Sequence, residues 1–427
     1  MEKAQTLKGF RDFGPSQMRV RNFVSQIFRT TFEIFGFEPL ETPSLEYAKT
    51  LLAKYSTDTD KETYIFKDLG ERDIGLIYDL TVPTARYLAE NSGKIRYPFR
   101  RSQMQRCYRA EKPQKGRYRE FMQCDIDIFG EKGPLADAEV LSCAWEIVKK
   151  LGLDGGFSFK IGSREVLYNL LSDLDVTDCE KQMQVARSLD KLDKIGQDAV
   201  LEDLSKNGLQ IGLIKQIFAN LTNSSPTENL KAIMDYAILL GIPKEKLVFS
   251  PTLSRGADYY TRMVVEGVVA EPKIGSVLGG GRYDNLIKSF GGQDTPATGL
   301  SFGFERICDV ILELGLFANA LPNTTTRALV ILASPFISPQ SSPSPLFPYA
   351  LKALSYLRKS DIPSEIYLNQ KADIAKQLKY ASEKQIPYAV IIGPDEVANN
   401  TVTIKDLGKR SQKTISLKEV FPLIKFN

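Results

Sequence analysis

Apolar residues recur at helical spacing near the amino end of the chain. Between Ser16 and Phe35 they lie on one face of a helix, at Val20, Phe23, Val24, Ile27, Phe28 and Phe35. This pattern predicts an amphipathic helix, for which Ser16 is a suitable N-cap and Gly36 a suitable stop. The same pattern predicts a second helix from Ala136 to Leu151, with Gly152 just past its end.

The segments between these helices have the composition of strands. YIFKD, GLIYDLT, QRCYRAE and FMQCDIDIFG are rich in β-branched and aromatic residues and are separated by turn signals, which predicts an antiparallel sheet. Strand character returns in RMVVEGVVAE, and TPATGLSFGFERICDVILELG predicts a strand followed by a helix.

The hydrophobic pattern changes twice along the chain. Residues 173–235 show helical periodicity with short polar breaks, and after LPNTTT strands alternate with helices. We therefore expect an α+β fold with a core in two parts, 1–172 and 236–324, a helical insertion at 173–235, and a small α/β domain at 325–427. The segment FISPQSSPSPLFP within that last domain is predicted to be a flexible surface loop.

Composition narrows the chemistry that is possible. The 427 residues include no histidine, which excludes Ser-His-Asp triads, Cys-His pairs and His-ligated zinc. The five cysteines form no CxxC pair and the net charge is only +4, so neither disulfides nor nucleic-acid binding is indicated by these features. Without an apolar run of about 20 residues or a secretion signal, we expect a cytoplasmic protein that does not enter a membrane.

The densest group of candidate residues is QRCYRAEKPQKGRYREFMQCDID, residues 105–127. Two strand-like halves flank a basic, glycine-containing loop, which could follow a phosphate backbone. Arg109 on the first strand could hold a phosphate in bidentate geometry. Taken alone, the segment could equally be a solvated hairpin.

Three further segments carry candidate residues. SRGADYYTR places Arg255 near two tyrosines, LGGGRYDNL contains three consecutive glycines, and GLSFGFERI ends in a Glu-Arg pair. Taken singly, these are more often a stacked surface pair, a turn and exposed charges at the start of a helix. Consecutive glycines do, however, permit very close approach of the backbone.

In this order, the segments resemble the motifs of the histidine–tRNA ligases, a family of class II aminoacyl-tRNA synthetases. YRAEKPQKGRYREF resembles motif 2, SRGADYYTR and LGGGRYDNL resemble the two histidine motifs, and GLSFGFERI resembles motif 3. The resemblance covers nearly the whole chain. It implies a class II antiparallel sheet flanked by helices, a carboxy-terminal domain like an anticodon-binding domain, and ATP-dependent attachment of L-histidine to tRNA(His) through histidyl-adenylate.

The resemblance also implies roles for individual residues. Arg109, Arg255 and Arg306 would act on the phosphates, with Glu111 seating ATP beside Arg109 and Arg306. Glu305 is a candidate ligand of Mg²⁺. The residues expected to bind histidine are Asp79, Thr81, Gln123, Asp127, Tyr259, Tyr260 and Tyr283. Those expected to meet the tRNA acceptor end are Gln114, Lys115 and Arg117.

Two other functions are compatible with parts of this pattern. A catalytically silent paralogue can act as regulatory subunit of ATP phosphoribosyltransferase, but such paralogues lack the tRNA-binding end domain and erode the histidine motifs, both of which this chain retains. A tRNA-sensing module would be fused to an effector. The region of motif 1, around Pro43, builds the dimer interface in the family, so the resemblance also implies a homodimer.

Overall fold

The computed structural model describes residues 3–52, 62–114, 116–255, 259–318, 321–333, 346–369, 371–420 and 424, without the side chains of 193 and 194. The chain divides into two compact units, Met1–Leu316 and Phe317–Asn427. None of the helices in the described ranges combines the length and the apolar character that crossing a lipid bilayer requires.

The helices of the first unit range from one to more than five turns. They are α1 (Pro15–Ile34), α2 (Ala48–Leu52), α3 (Thr81–Glu90), α4 (Pro134–Lys150), α5 (Arg164–Asp173), α6 (Cys179–Asp190), α7 (Leu192–Lys206), α8 (Ile211–Thr222), α9 (Glu228–Leu239), α10 (Leu286–Ser289) and α11 (Phe304–Glu313).

The strands of the first unit form two sheets. They are β1 (Glu38–Pro39), β2 (Leu45–Tyr47), β3 (Ile65–Lys67), β4 (Asp73–Leu76), β5 (Phe99–Tyr108), β6 (Glu120–Phe129), β7 (Phe157–Ser163), β8 (Leu247–Phe249), β9 (Met263–Val269), β10 (Ser276–Arg282) and β11 (Ala297–Gly303). The large sheet has the order β1-β5-β6-β11-β10-β9-β7-β8, and β2-β4-β3 form a small sheet. The large sheet is antiparallel except for the parallel pairs β1–β5 and β7–β8, which confirms the predicted α+β class.

The second unit is a five-stranded sheet with helices. Its elements are β12 (Ala328–Leu332), α12 (Leu346–Lys359), β13 (Ser364–Ile366), α13 (Ile374–Glu383), β14 (Tyr388–Ile392), α14 (Pro394–Asn399), β15 (Thr401–Asp406) and β16 (Ser411–Ser416). The strand order is β13-β12-β14-β15-β16, parallel across the first three and antiparallel beyond. Residues 336–345 of the predicted surface loop lie outside the described residues, and its last three residues begin α12 instead.

One local prediction is wrong, and one pattern has a structure other than the one it favours when taken alone. Helix α1 is capped by Gly14 rather than Ser16, because Pro15 takes the first helical position, where a missing N–H costs nothing. The Gly14 N–H donates instead to the Gln17 side chain at 3.1 Å. The glycine run of LGGGRYDNL forms strand β10 rather than a turn.

The helices of the 173–235 region pack on more than one neighbour. Helices α5 to α8 share a hydrophobic core that includes Leu171, Leu189, Leu204 and Ile217, whereas α9 packs against α4. Residues 173–235 are therefore not one bundle, and four of them, Leu189 to Leu192, line the cavity of the candidate site.

Candidate active site

A single large cavity of about 1330 Å³ opens above the eight-stranded sheet. Every predicted site residue that the structure describes contributes to its lining: Asp79, Thr81, Arg109, Glu111, Gln114, Arg117, Gln123, Asp127, Arg255, Tyr259, Tyr260, Tyr283, Glu305 and Arg306. Lys115 lies outside the described residues. Residues that are up to about two hundred positions apart in the chain therefore meet at one site.

Polar side chains on two neighbouring strands form a ladder at the cavity, and the half of it on β6 lines the cavity. We call six residues the polar ladder: Arg101, Gln103 and Gln105 on β5, which stand opposite Asp127, Asp125 and Gln123 on β6. All six are buried. Because successive strand residues point to opposite faces, this spacing of two puts all six side chains on the same face of the sheet.

Hydrogen bonds run along the polar ladder. The Arg101 guanidinium, which is fully buried, donates to Asp127 Oδ2 and to Gln103 Oε1. Gln103 Nε2 donates to Gln105 Oε1 at 2.7 Å, and Gln123 Nε2 donates to Asp125 Oδ2 at 3.1 Å. A buried network of this kind holds each side chain in one orientation.

Asp127 lies where the ladder meets the tyrosines. The Tyr283 hydroxyl donates to Asp127 Oδ1, and Tyr259 packs against the rings of Tyr260 and Tyr283 at centroid distances of 4.8 and 5.8 Å. Burial raises the pKa of Asp127, while Arg101 and Tyr283 oppose that shift. Burial also raises the pKa of all three tyrosines, so their hydroxyls stay neutral and can donate hydrogen bonds.

The floor of the cavity consists of backbone rather than side chains. We call Gly279 and Gly280 on β10 and Gly299 and Gly303 on β11 the glycine floor. A Cβ on Gly279 would lie 1.5 Å from Arg255 Nη1, and one on Gly299 would lie 1.9 Å from Asp127 Oδ1. These two predicted site residues therefore have side chains that lie directly on the backbone, which only glycine allows.

Arg255 reaches this floor from an unusual backbone conformation. Its φ angle is +53°, in the left-handed region that few residues other than glycine adopt. Arg255 Nη1 donates to the Val265 carbonyl at 3.0 Å, and the Glu266 carboxylate lies 3.7 Å away. Both contacts are made by Nη1, and Arg255 also lines the cavity.

Two more guanidiniums line the same cavity. Arg109 stacks between Tyr78 and Phe121, with its Cζ 4.2 and 5.0 Å from the two ring centroids, and its Nε donates to the Tyr78 carbonyl at 3.3 Å. Arg306 donates to the Ser276 carbonyl at 2.6 Å. Each arginine has further N–H groups in its planar fork, and such forks match phosphate oxygens.

The loop after β5 is folded back on itself. Backbone hydrogen bonds of 3.0 and 2.9 Å join Gln114 and Arg117 in both directions, and the Gly116 carbonyl accepts from Arg306 Nε at 3.3 Å. Arg117 Nη1 lies 3.5 Å from the Glu111 carboxylate. The basic loop is therefore attached to the cavity rather than free in solvent, in contrast to the solvated hairpin that was the alternative.

Glu305 has a structural environment that does not suit the magnesium role. Its carboxylate accepts from Arg21 Nη1 and Nη2 at 2.6 and 2.8 Å, from Arg11 Nη2 at 2.5 Å and from the Met122 N–H at 3.2 Å. Burial alone would raise the pKa of Glu305, but Arg21 outweighs it and holds the pKa below its ordinary value. Two guanidiniums and a backbone N–H thus occupy the oxygens that a cation would need.

Asp79 and Thr81 mark the start of α3. Asp79 Oδ1 accepts from the Val82 N–H at 3.0 Å, which satisfies one of the free donors at the helix start. Asp79 is buried, and its carboxylate is one of the acidic groups that line the cavity. Among the described residues, no group of three or more Cys, Asp and Glu is arranged to hold a metal ion.

Arg101 and Asp125 were not predicted from the sequence to be site residues. Both are buried, and Arg101 Nη1 lies 3.6 Å from Asp125 Oδ2. The signal was present as alternation: polar residues occupy every second position in RSQMQ and QCDID, which is the period of one strand face. A polar face on a strand that is otherwise buried indicates a site rather than a core.

Comparison with known proteins agrees with this geometry. The family model described as histidyl-tRNA synthetase matches residues 9–307, and that for an anticodon binding domain matches residues 336–427. A histidine–tRNA ligase of Clostridium tetani is 35% identical over 448 residues, covering 99% of this chain and 98% of that protein. One of Azobacteroides pseudotrichonymphae is 34% identical over 471 residues, covering 100% and 99%. The crystal structure of histidyl-tRNA synthetase from Nostoc has a TM-score of 0.83 at 26% identity and covers 100% of both chains. This chain therefore belongs to the histidyl-tRNA synthetase family.

Proposed function

We propose that this protein attaches L-histidine to tRNA(His), using ATP and releasing AMP and diphosphate. One observation carries the proposal: a single cavity is lined by three arginines suited to phosphate and by a buried acidic wall suited to a polar amino-acid side chain. The family to which the chain belongs supports the same reaction.

In the first step the histidine carboxylate attacks the α-phosphorus of ATP, and pyrophosphate leaves. The carboxylate is already ionised at neutral pH, so the step requires no general base. Catalysis then depends on positioning and on stabilising charge at the phosphorus oxygens, which we assign to Arg109, Arg255 and Arg306. These roles suit a protein that contains no histidine.

Mg²⁺ fits this reaction as a companion of ATP. Since the described carboxylates form no metal cluster and Glu305 is held by two arginines, the ion would be bound mainly by phosphate oxygens, as is common for Mg²⁺. When bound, it neutralises phosphate charge. Glu111 and Glu266 also line the cavity and are two carboxylates that could help to hold it.

The imidazole of histidine would be bound at Asp127. A neutral imidazole has one N–H donor and one nitrogen acceptor. Asp127 supplies an acceptor, and the hydroxyl of Tyr260, which is buried in the cavity lining, supplies a donor. Asp79, Thr81 and Gln123 would hold the α-amino group. A site with these buried polar groups rejects amino acids that leave them unpaired.

In the second step a ribose hydroxyl at the tRNA 3′ end attacks the adenylate carbonyl, and AMP leaves. Gln114, Lys115 and Arg117 of the basic loop would meet the acceptor end. We assign residues 325–427 to anticodon binding, with the exposed Lys352, Lys371 and Lys376 available for RNA phosphates, and residues 173–235 to an insertion between the two parts of the catalytic core.

We further propose a homodimer that acts in the cytoplasm. The small β2-β4-β3 sheet exposes Leu45, Tyr47 and Phe66, each at 45% or more of its surface. Such an apolar patch favours a protein partner. Sedimentation velocity of the full chain tests this: a species of twice the chain mass is expected, and a monomer at micromolar concentration would contradict it.

ATP–pyrophosphate exchange with each of the twenty amino acids tests the proposed function. We expect exchange with histidine alone, and a loss of about 100- to 1000-fold in Arg255→Ala because a preorganised donor to the phosphate is removed. Arg262→Ala, a partly exposed arginine paired with Glu165 at 3.3 Å, is the matched control. Absence of exchange with every amino acid would favour the regulatory paralogue instead.

A further inference from the structure

Two buried oxygens on the polar ladder have no hydrogen-bond donor in the described structure. They are Gln123 Oε1 and Asp125 Oδ1. Gln123 is 6% exposed and Asp125 is 2% exposed, and both residues line the cavity. Leaving a buried acceptor unpaired costs free energy, so two such oxygens at adjacent positions of one strand face indicate a ligand that brings its own donors.

Charge points to the class of ligand. Asp125 and Asp127 share a single buried cation, Arg101, with Nη1 3.6 Å from Asp125 and in direct contact with Asp127. With Asp79 also buried in the lining, carboxyl groups outnumber guanidinium groups at this end of the cavity. A ligand with a primary ammonium supplies both the missing positive charge and three N–H donors.

The two aspartates are not equivalent in their contacts. Each oxygen of Asp127 already accepts one hydrogen bond, from Arg101 or from Tyr283, so the imidazole N–H would be a second donor to one of them. Asp125 uses Oδ2 to accept from Gln123, and its other oxygen lacks a bonded donor. Burial raises the pKa of Asp125, and this rise is partly opposed by Arg101 and, to a smaller extent, by Ser301, which lies opposite Asp125 on β11. Asp125 therefore has the free acceptor, although it was not among the predicted site residues.

We propose that Asp125 is a further substrate-binding residue, whose free carboxylate oxygen accepts a hydrogen bond from the α-ammonium group of the amino-acid substrate. Arg101 is its positioning residue, because its guanidinium holds both carboxylates of the ladder in place. The inference rests on the proposed function and adds a charged contact to the amino-group site formed by Asp79, Thr81 and Gln123.

Removing the amino group from the ligand and the charge from the protein tests this contact. The ligands are L-histidine and 3-(imidazol-4-yl)propanoate, which is the same molecule without the amino group. Their affinities for the full-length protein are measured as the KM and the inhibition constant in pyrophosphate exchange. In Asp125→Asn we expect affinity for L-histidine to fall about 10- to 100-fold, as for other hydrogen bonds to charged groups, while affinity for the propanoate changes less than about twofold.

Asp127→Asn is the matched control on the same strand. Since Asp127 is assigned to the imidazole, which both ligands contain, this variant is expected to weaken both by similar factors. An equal loss for both ligands in Asp125→Asn, or no loss for either, would overturn the assignment of Asp125. The KM for ATP and the melting temperature show whether each variant folds.

A second variant guards against misfolding. Asp125→Glu retains the charge beside Arg101 and moves the carboxylate into the space assigned to the ammonium, so it too should weaken L-histidine more than the propanoate. A uniform loss in this variant would likewise contradict the assignment. Failure of the wild type to exchange with histidine would be seen before any variant is made and would overturn the proposed function along with it.

Discussion

The polar ladder and the glycine floor face the same cavity and shape it by opposite means. The ladder presents buried charged and amide groups, each fixed by its neighbours. The floor presents backbone alone, and Arg255 and Asp127 lie in the space that side chains would fill. The polar ladder therefore depends on the polar side chains that it contains, whereas the glycine floor depends on the lack of side chains. Substitutions in the two halves should fail in different ways.

The largest expected effect is on stability and concerns Glu305, which contacts strand β6 of the polar ladder. Glu305 accepts from the Met122 N–H of β6 and pairs with Arg21 and Arg11. Glu305→Gln leaves two partly buried guanidiniums without a counter-charge, so we expect the free energy of unfolding to fall by about 3–5 kcal/mol. Urea denaturation measures it. Glu313→Gln, exposed at the end of the same helix, should change it by less than about 0.5 kcal/mol, and equal effects would contradict the prediction.

The same carboxylate predicts a pH dependence. Because the pKa of Glu305 is held below its ordinary value of 4.5, the ionised form is favoured in the folded state. The stabilisation is therefore complete above about pH 4.5 and is lost as the pH falls through the lower, folded-state pKa. Denaturation curves from pH 7 to 3 should show wild type and Glu305→Gln converging at the acid end. A constant difference would show that ionisation is not the source.

Substitutions in the glycine floor should lower activity more than stability. In Gly279→Ala the new Cβ meets the Arg255 guanidinium, a mobile group that can move aside. We expect kcat/KM for pyrophosphate exchange to fall about 100- to 1000-fold, as when a preorganised donor is lost, with a small change in melting temperature. Gly93→Ala, where a Cβ has nothing within 4 Å, should leave exchange unchanged. Normal exchange in Gly279→Ala would show that Arg255 does not need this floor.

A smaller effect is expected from Arg101→Lys, which keeps the positive charge of the polar ladder but changes its hydrogen-bond geometry. Lysine in Arg101→Lys cannot donate in a planar fork to Asp127 and Gln103 together. We expect the KM for histidine to rise about tenfold with the KM for ATP unchanged. Arg106→Lys is the control on the same strand, because Arg106 is exposed and pairs with Glu120 at 2.8 Å. A matching rise in the KM for ATP would indicate general damage.

The smallest effect is predicted at Ser301, where floor and ladder meet. Burial raises the pKa of Asp125, and Ser301 partly opposes that rise. In Ser301→Ala the pKa of Asp125 should therefore rise further. If the ionised form of Asp125 binds the substrate, acidification should lower the activity of the variant at a higher pH than that of the wild type. The KM for histidine at neutral pH should rise about two- to threefold. An unchanged acidic limb of log kcat/KM would contradict this.

The sequence predicted the elements that depend on local pattern. Helices α1 and α4 follow from their hydrophobic period and strand β6 from its composition within a few residues, whereas β5 begins six residues before the predicted segment QRCYRAE. The strand formed by the glycine run could not be predicted, because glycine has low strand propensity and the reason for it lies in Arg255 and in the neighbouring strands. Glu305 is similar: its partner Arg21 is 284 positions away, and nothing in GLSFGFERI indicates it.

The link between Glu305 and Arg21 also bears on how the chain folds during its synthesis. Helix α1 leaves the ribosome early, but the carboxylate that pairs with Arg21 emerges only after 284 more residues. Strand β6 pairs with β5 on one edge and with β11 on the other, so its second edge is unpaired until β11 has been synthesised. Until then Arg21 is solvated and the edge of β6 is open, so a nascent chain truncated before α11 should bind neither ATP nor histidine. The contacts of the first unit are thus complete only after α11, the last helix described in that unit, has been synthesised.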